Sequence, residues 1–226
     1  MSELVTRCLT AADLESQTVI SSATTKILVD RGYRQLYGEL AKPGVGYFDT
    51  EATISTTGGA TYALPSDHLW TVGVEYLVDS QGRRRPLTKL MRPERALYSG
   101  NSGQSACAYD VIGTNVVLYP TPPTGQTYYH VYIPQPTDIS TAADGTLIEM
   151  ATLDGEEFLI WTVVFYIRDK LDLDTRVAQA EREAARLRVQ DDAQLRAFEN
   201  MSRRIIQDDI EDLSAYDPGS FRFNPP

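Results

Sequence analysis

The sequence predicts an α+β protein in which a helical bundle body carries a large antiparallel β-rich insertion and ends in an extended C-terminal arm. Three observations lead there. Residues 10–41 and 153–201 space their apolar side chains at helical intervals, whereas 45–133 breaks into short β-branched and aromatic runs separated by turn residues. Beyond Asp208 the chain turns acidic, and Pro218-Gly219 and the final two prolines oppose regular structure. The divisions that follow are 1–44 for the N-terminal helices, 45–136 for the insertion, 137–207 for the helices that return to the body, and 208–226 for the arm.

The first helix is expected over 10–41, with Thr10 capping its first turn and the Asp13 carboxylate answering the Thr10 amide. Ile20, Ala23, Ile27, Leu28, Leu36 and Leu40 mark its apolar side, with a kink or a short break near Asp30-Arg31-Gly32. Lys42-Pro43-Gly44 ends it, because proline has no amide to donate and glycine frees the turn. Candidate strands then run over 51–56, 60–64, 71–78, 106–112, 115–119 and 128–133, enough for a compact sheet or sandwich of about six strands. Gly58-Gly59, Ser80-Gln81-Gly82, Gly113-Thr114 and Thr121-Pro122-Pro123-Thr124-Gly125 supply the turns.

Helix returns at Leu153 and runs, in two pieces, to about Met201. Phe158 to Ile167 leaves almost no polar face, so the first piece must be surrounded by protein; the run is about half the length a bilayer requires, which argues against a membrane span. The second piece, from Thr175, is rich in alanine and in opposite charges at helical spacing, such as Asp192 with Arg196 and Glu199 with Arg203. Val177, Ala180, Ala184 and Leu187 lie along one side of it. Small residues permit close helix approach, either on the same chain or, as a candidate subunit interface, on a neighbouring copy. In the arm, Tyr216, Phe221 and Phe223, with Arg222 between the last two, are aromatic anchors that an idle solvated tail seldom carries, which makes this segment a candidate docking arm.

The formal charge is −10, from 31 acidic against 21 basic residues, which argues against a free nucleic-acid binder. Arg83, Arg84, Arg85, Lys89, Arg92 and Arg95 face only Glu94 within their stretch, a local excess of five positive charges. That stretch reads either as a solvated loop or as a patch touching an acidic neighbour, with Arg83, Arg84 and Arg85 at its front. Cys8 and Cys107 lack metal or disulfide-framework spacing, so a reducing, cytoplasmic assembly environment is expected. Met1-Ser2-Glu3-Leu4-Val5 has no charged-then-apolar signal pattern.

Enzymatic chemistry finds no support. Neither a GxxxxGK[ST] loop, a GxGxxG turn nor a GxSxG elbow occurs, and nothing implies a cofactor. The two histidines are far apart in sequence: His68, after Pro65-Ser66-Asp67, suits a turn hydrogen bond, and His130 one position on a strand face. Glu156-Glu157, Asp172 with Asp174, and Asp208-Asp209 could supply the carboxylates of a glycosidase, but Glu156 and Glu157 sit in a first helical turn, where the backbone dipole favours negative charge.

Three passages, in order, carry a resemblance. Tyr62-Ala63-Leu64-Pro65-Ser66-Asp67 precedes an apolar strand; Tyr109-Asp110-Val111-Ile112-Gly113 leads to Val116-Val117-Leu118-Tyr119-Pro120-Thr121-Pro122; and Tyr132-Ile133-Pro134 comes before Thr137-Asp138-Ile139-Ser140. Flanked by helices, this arrangement resembles the head-tail adaptor proteins of tailed bacteriophages over roughly residues 15–200. The resemblance implies a structural virion protein at the head-tail junction, assembled in the host cytoplasm: a homo-oligomeric ring, commonly of twelve copies, fixed to the portal, joined to the tail or a tail-completion protein, with double-stranded DNA passing through its centre without sequence-specific binding. A tail-completion or baseplate component is the alternative; a carboxylate-dependent cell-wall hydrolase is a third reading, from a different class.

Overall fold

The computed structural model describes residues 2–14, 20–42, 46–98, 103–141 and 153–214, with the backbone alone at 153 and 200–214. In chain order its elements are α1 (Ser2–Ala11), α2 (Ser22–Leu40), β1 (Thr50–Ser55), β2 (Thr61–Ala63), β3 (His68–Leu77), β4 (Arg84–Pro86), β5 (Thr88–Lys89), a 3-10 turn (Arg92–Glu94) running into α3 (Arg95–Tyr98), β6 (Ala108–Ile112), β7 (Asn115–Tyr119), β8 (Thr127–Pro134), α4 (Leu153–Lys170) and α5 (Arg176–Ser214). The class is α+β. Two compact units result: Met1–Leu40, Gly44–Gly46 and Ser140–Pro226 make one, Ala41–Pro43 and Tyr47–Ile139 the other.

In the helical unit α4 touches α1, α2 and α5. Its Phe158, Leu159, Ile160, Val163, Val164, Tyr166 and Ile167 are all buried, as a helix without a polar face requires. Asp154 and Glu156 in its first turn and Arg168 and Lys170 in its last oppose the helix dipole at both ends.

The N-terminal part departs from the sequence reading. Helix begins at Ser2, and Thr10 lies in the last turn of α1 instead of capping a first one. Asp13 takes a left-handed conformation (φ 61°), Leu14 N–H donates to the Leu9 carbonyl (3.0 Å) and Asp13 N–H to the Thr10 carbonyl (3.0 Å), which closes the helix as a Schellman motif. The same closure ends α4 at Asp172 (φ 52°), where Leu173 N–H donates to the Arg168 carbonyl (2.9 Å). Ser21 caps α2, its Oγ accepting from Thr24 N–H (3.2 Å).

No break occurs at Asp30-Arg31-Gly32; α2 runs through it. Gly32 serves packing instead: a Cβ there would lie 2.8 Å from Leu159 Cδ1, so the missing side chain lets α2 approach α4. At the other end α5 continues to Ser214, which corrects the expectation of irregular chain from Asp208. The helix breakers Pro218 and Gly219 lie beyond that point, so nothing in 208–214 stops propagation.

The β unit holds two four-stranded sheets, ordered β1-β8-β3-β4 and β2-β7-β6-β5. All pairs are antiparallel except β5 with β6. The six strands read from sequence are present; β4 and β5 are additional and fall in the basic stretch. Ile54, Val74 and Tyr128 from the first sheet pack with Tyr109, Val116 and Leu118 from the second, joined by Leu87 and Ala106. Tyr128 is fully buried and both its hydroxyl functions are used, accepting from Ala106 N–H (2.8 Å) and donating to Gln126 Oε1 (2.8 Å).

Candidate functional site

For a chain without catalytic motifs the candidate sites are surfaces, and α5 offers the longest. Ala178, Ala185, Val189 and Ala193 form its buried seam. Charged partners hold the helix in that rotation: Arg186 Nε meets Glu39 Oε1 (2.8 Å), Gln190 Nε2 meets Glu39 Oε2 (2.8 Å), Arg188 Nε meets Asp154 Oδ1 (3.0 Å), and the Arg182 guanidinium lies 4.6 Å from the Phe165 ring centre. Val177, Ala180, Ala184 and Leu187 are therefore turned away from their own chain. Val177 is 62% and Leu187 54% exposed, and Leu195, two turns further on, is 65% exposed. Of the two packing options left open by the sequence, the intrachain one belongs to a neighbouring stripe.

The basic stretch is not the uncompensated patch that local counting suggests, because folding brings it acids from elsewhere in the chain. Arg83 pairs with Asp79. Arg84, on β4, spans the solvent face of its sheet to Glu51 on β1 (2.7 Å) and Glu75 on β3 (3.4 Å), its guanidinium 3.8 Å above the Tyr129 ring centre on β8. Arg85 lies 5.9 Å from the Tyr76 ring centre, and Arg95 pairs with the buried Asp110. Along the sequence the six cations face only Glu94 within residues 83–95; in space Arg83, Arg84 and Arg95 meet other acids. Such exposed pairs contribute little stability, but they orient the arginines, and Arg83 still projects into solvent.

The two histidines, distant in sequence, meet in space. Antiparallel pairing sets Val74 of β3 opposite His130 of β8 and Thr71 opposite Tyr132. His68 Nε2 lies 2.9 Å and His130 Nε2 3.1 Å from the same Thr71 Oγ1. The rings of His68, His130 and Tyr132 stack, and the Tyr132 hydroxyl donates to Asp67 Oδ1 (3.1 Å). One hydroxyl can donate one proton, so it serves one imidazole as donor and the other as acceptor, and the ring that accepts its proton must be neutral. Burial pushes the His130 pKa down to about 4, with neighbouring His68 adding to the shift; burial lowers His68 as well, against the opposing pull of Asp67. Among the described residues no group of three or more His, Cys, Asp or Glu could hold a metal.

The remaining candidates have structural partners. Glu156 pairs with Arg7, and Glu157 with Arg188. Burial pushes the Cys8 thiol up to about 12, far from the thiolate form that reacts. Tyr216, Phe221, Arg222 and Phe223 lie outside the described residues. Among the described residues no helix is long and apolar enough to cross a membrane.

Sequence reading missed two features here, the histidine network and a pair of outward apolar side chains, Met91 and Leu97, because strand pairing creates the first and loop anchoring the second. No curated protein matches the chain. A family model, SU10 adaptor protein, matches residues 1–211, almost the whole chain. It describes a phage head-tail adaptor family, in agreement with the resemblance carried by the Leu64-Pro65-Ser66-Asp67 and Pro120-Thr121-Pro122 passages. The chain belongs to the SU10 adaptor protein family and is a structural component of a phage virion that works with other head and tail proteins at the head-tail junction.

Proposed function

We propose that the chain assembles in the host cytoplasm as a dodecameric ring that joins the portal at the head vertex to the tail or a tail-completion protein, and that DNA passes through the centre of the ring. Within it a helical bundle body that carries the β-rich insertion makes subunit contacts. The observation that carries this reading is the outward stripe of α5: Val177, Ala180, Ala184 and Leu187 are apolar or small, exposed, and on the face their own chain does not use. Apolar side chains in a row on one helix face mark a surface covered in an assembly. Each subunit carries −10, so the ring is strongly acidic, and DNA phosphates gain nothing by releasing counterions to it.

Two further contacts complete the proposal. Arg83, Arg84 and Arg85 meet an acidic neighbour, either the adjacent subunit or the tail component, where rim charges set association rate and salt dependence. Tyr216, Phe221, Arg222 and Phe223 dock on the portal as aromatic anchors beside a cation. Native mass measurement of the purified chain, alone and mixed with its portal ring, tests the whole: a closed ring on the portal is the expected species, and a chain that stays monomeric in both would overturn it.

A further inference from the structure

Among the described residues Met91 and Leu97 are the most exposed large apolar side chains, at 73% and 79%. Both sit on one short segment, and that segment is firmly held. Leu87 and Leu90 anchor it in the β unit, where Leu90 N–H donates to the Tyr109 carbonyl (2.8 Å). Met91 N–H donates to Glu94 Oε2 (2.7 Å) while Glu94 N–H returns a bond to the Met91 carbonyl (3.0 Å). Arg95 pairs with the buried Asp110 of β6. Apolar side chains presented to water on or next to a segment tied down at Leu87, Leu90 and Arg95 lose little freedom on binding, which is how a docking knob is built. Lys89 and Arg92 lie exposed beside them, and the one acid of the segment, Glu94, is engaged in the turn.

The helical unit contains a hollow. Between α1 and α4 a groove of about 330 Å³ is lined by Arg7, Thr10, Ala11, Glu157, Ile160 and Trp161. Ala11, Ile160 and Trp161 supply its apolar part. Its rim charges are already engaged, Arg7 by Glu156 and Glu157 by Arg188, so the groove suits an uncharged side chain over an ion. Beside it Asp154, Glu156 and Glu157 stand against Arg7 and Arg188, which leaves one net negative charge, opposite in sign to Lys89 and Arg92.

We infer that the Met91/Leu97 knob of one copy seats in the α1–α4 groove of the next copy. The contact joins two different surfaces, so it propagates head to tail and closes into a ring when the rotation allows. Methionine suits such a groove because its unbranched chain adapts to an irregular floor. The inference rests on the reading that copies of this chain assemble side by side, and it names the second copy as the occupant of the groove.

The test uses the full chain with Cys107→Ser. One population carries Leu97→Cys, an isotope-labelled second carries Ala11→Cys, and the two are mixed and treated with a short bismaleimide. The expected product is a covalent dimer holding one chain of each kind. Leu97→Asp should also raise the dissociation constant of self-association about tenfold or more, as loss of a central apolar contact does, with an unchanged circular dichroism spectrum. Self-association that is unaffected by Leu97→Asp and gives no mixed crosslink overturns the inference while leaving the ring reading intact, and assigns the groove to another occupant. Absence of self-association in the unsubstituted chain overturns both.

Discussion

His130 should make the stability of the β unit fall with acid, by an amount that can be worked out. Its folded pKa is about 4 against an ordinary value of 6.5. Between those two values the unfolded chain takes up a proton that the folded chain refuses, so the contribution is fully present above the unfolded pKa and is lost as pH falls toward the folded one. A gap of that size corresponds to roughly 3 kcal/mol at about 1.4 kcal/mol per pH unit. The chain has two tryptophans, Trp161 in the helical unit and Trp70 on the strand that carries Thr71, so Trp161→Phe leaves a fluorophore that reports on the β unit. Urea unfolding of that variant, with and without His130→Gln, from about pH 7 to about pH 4, isolates the residue, because other carboxylates and His68 titrate in both. Glutamine retains a partner for the Thr71 hydroxyl and does not titrate. The background with His130 should lose roughly 3 kcal/mol more than the glutamine variant over that range. Parallel curves would refute a buried, neutral His130.

Other expectations concern assembly and packing. Val177→Asp and Ala184→Asp should reduce incorporation into particles without lowering thermal stability, since both positions face away from their own chain; wild-type incorporation of both would remove α5 from the interface. Gly32→Leu should destabilise the helical unit by about 1–3 kcal/mol, since the seam with Leu159 has no room for a side chain; an unchanged urea midpoint would contradict the close approach. Replacing Arg83, Arg84 and Arg85 by serine should slow tail attachment and flatten its salt dependence, measured as attachment rate at low and high salt. Phe221→Ala with Phe223→Ala should leave the fold intact and weaken portal binding, read by co-sedimentation with portal rings.

Much of the secondary structure was legible in the sequence because it depends on local period and turn chemistry. Asn115–Tyr119 alternates and sits between Gly113-Thr114 and Pro120, and its strand bounds coincide with the reading. The α4 run had no polar face and became the buried helix. Helix ends were less legible. Thr10-Ala11-Ala12-Asp13 can open a helix or close one, since Asp serves both as a cap partner and as a left-handed residue, and only the helix upstream decides between them. Gly32 looked like a breaker because its use, contact with Leu159 more than a hundred residues away, has no local trace.

The α+β class, the six main strands and the ordered passages that mark a head-tail adaptor are all written in short-range pattern. Which face of α5 stays outward depends on packing against the other helices. The stripe Val177, Ala180, Ala184 and Leu187 and the stripe Ala178, Ala185, Val189 and Ala193 lie about one residue apart and are similarly apolar. Glu39, Asp154 and Glu157 on other helices select the second by pairing with Arg186 and Arg188. The tertiary structure likewise gave Arg84 and Arg95 of the basic stretch acid partners on distant strands and brought His68 to His130, because strand pairing joins residues whose separation along the chain hides their chemistry from any local reading.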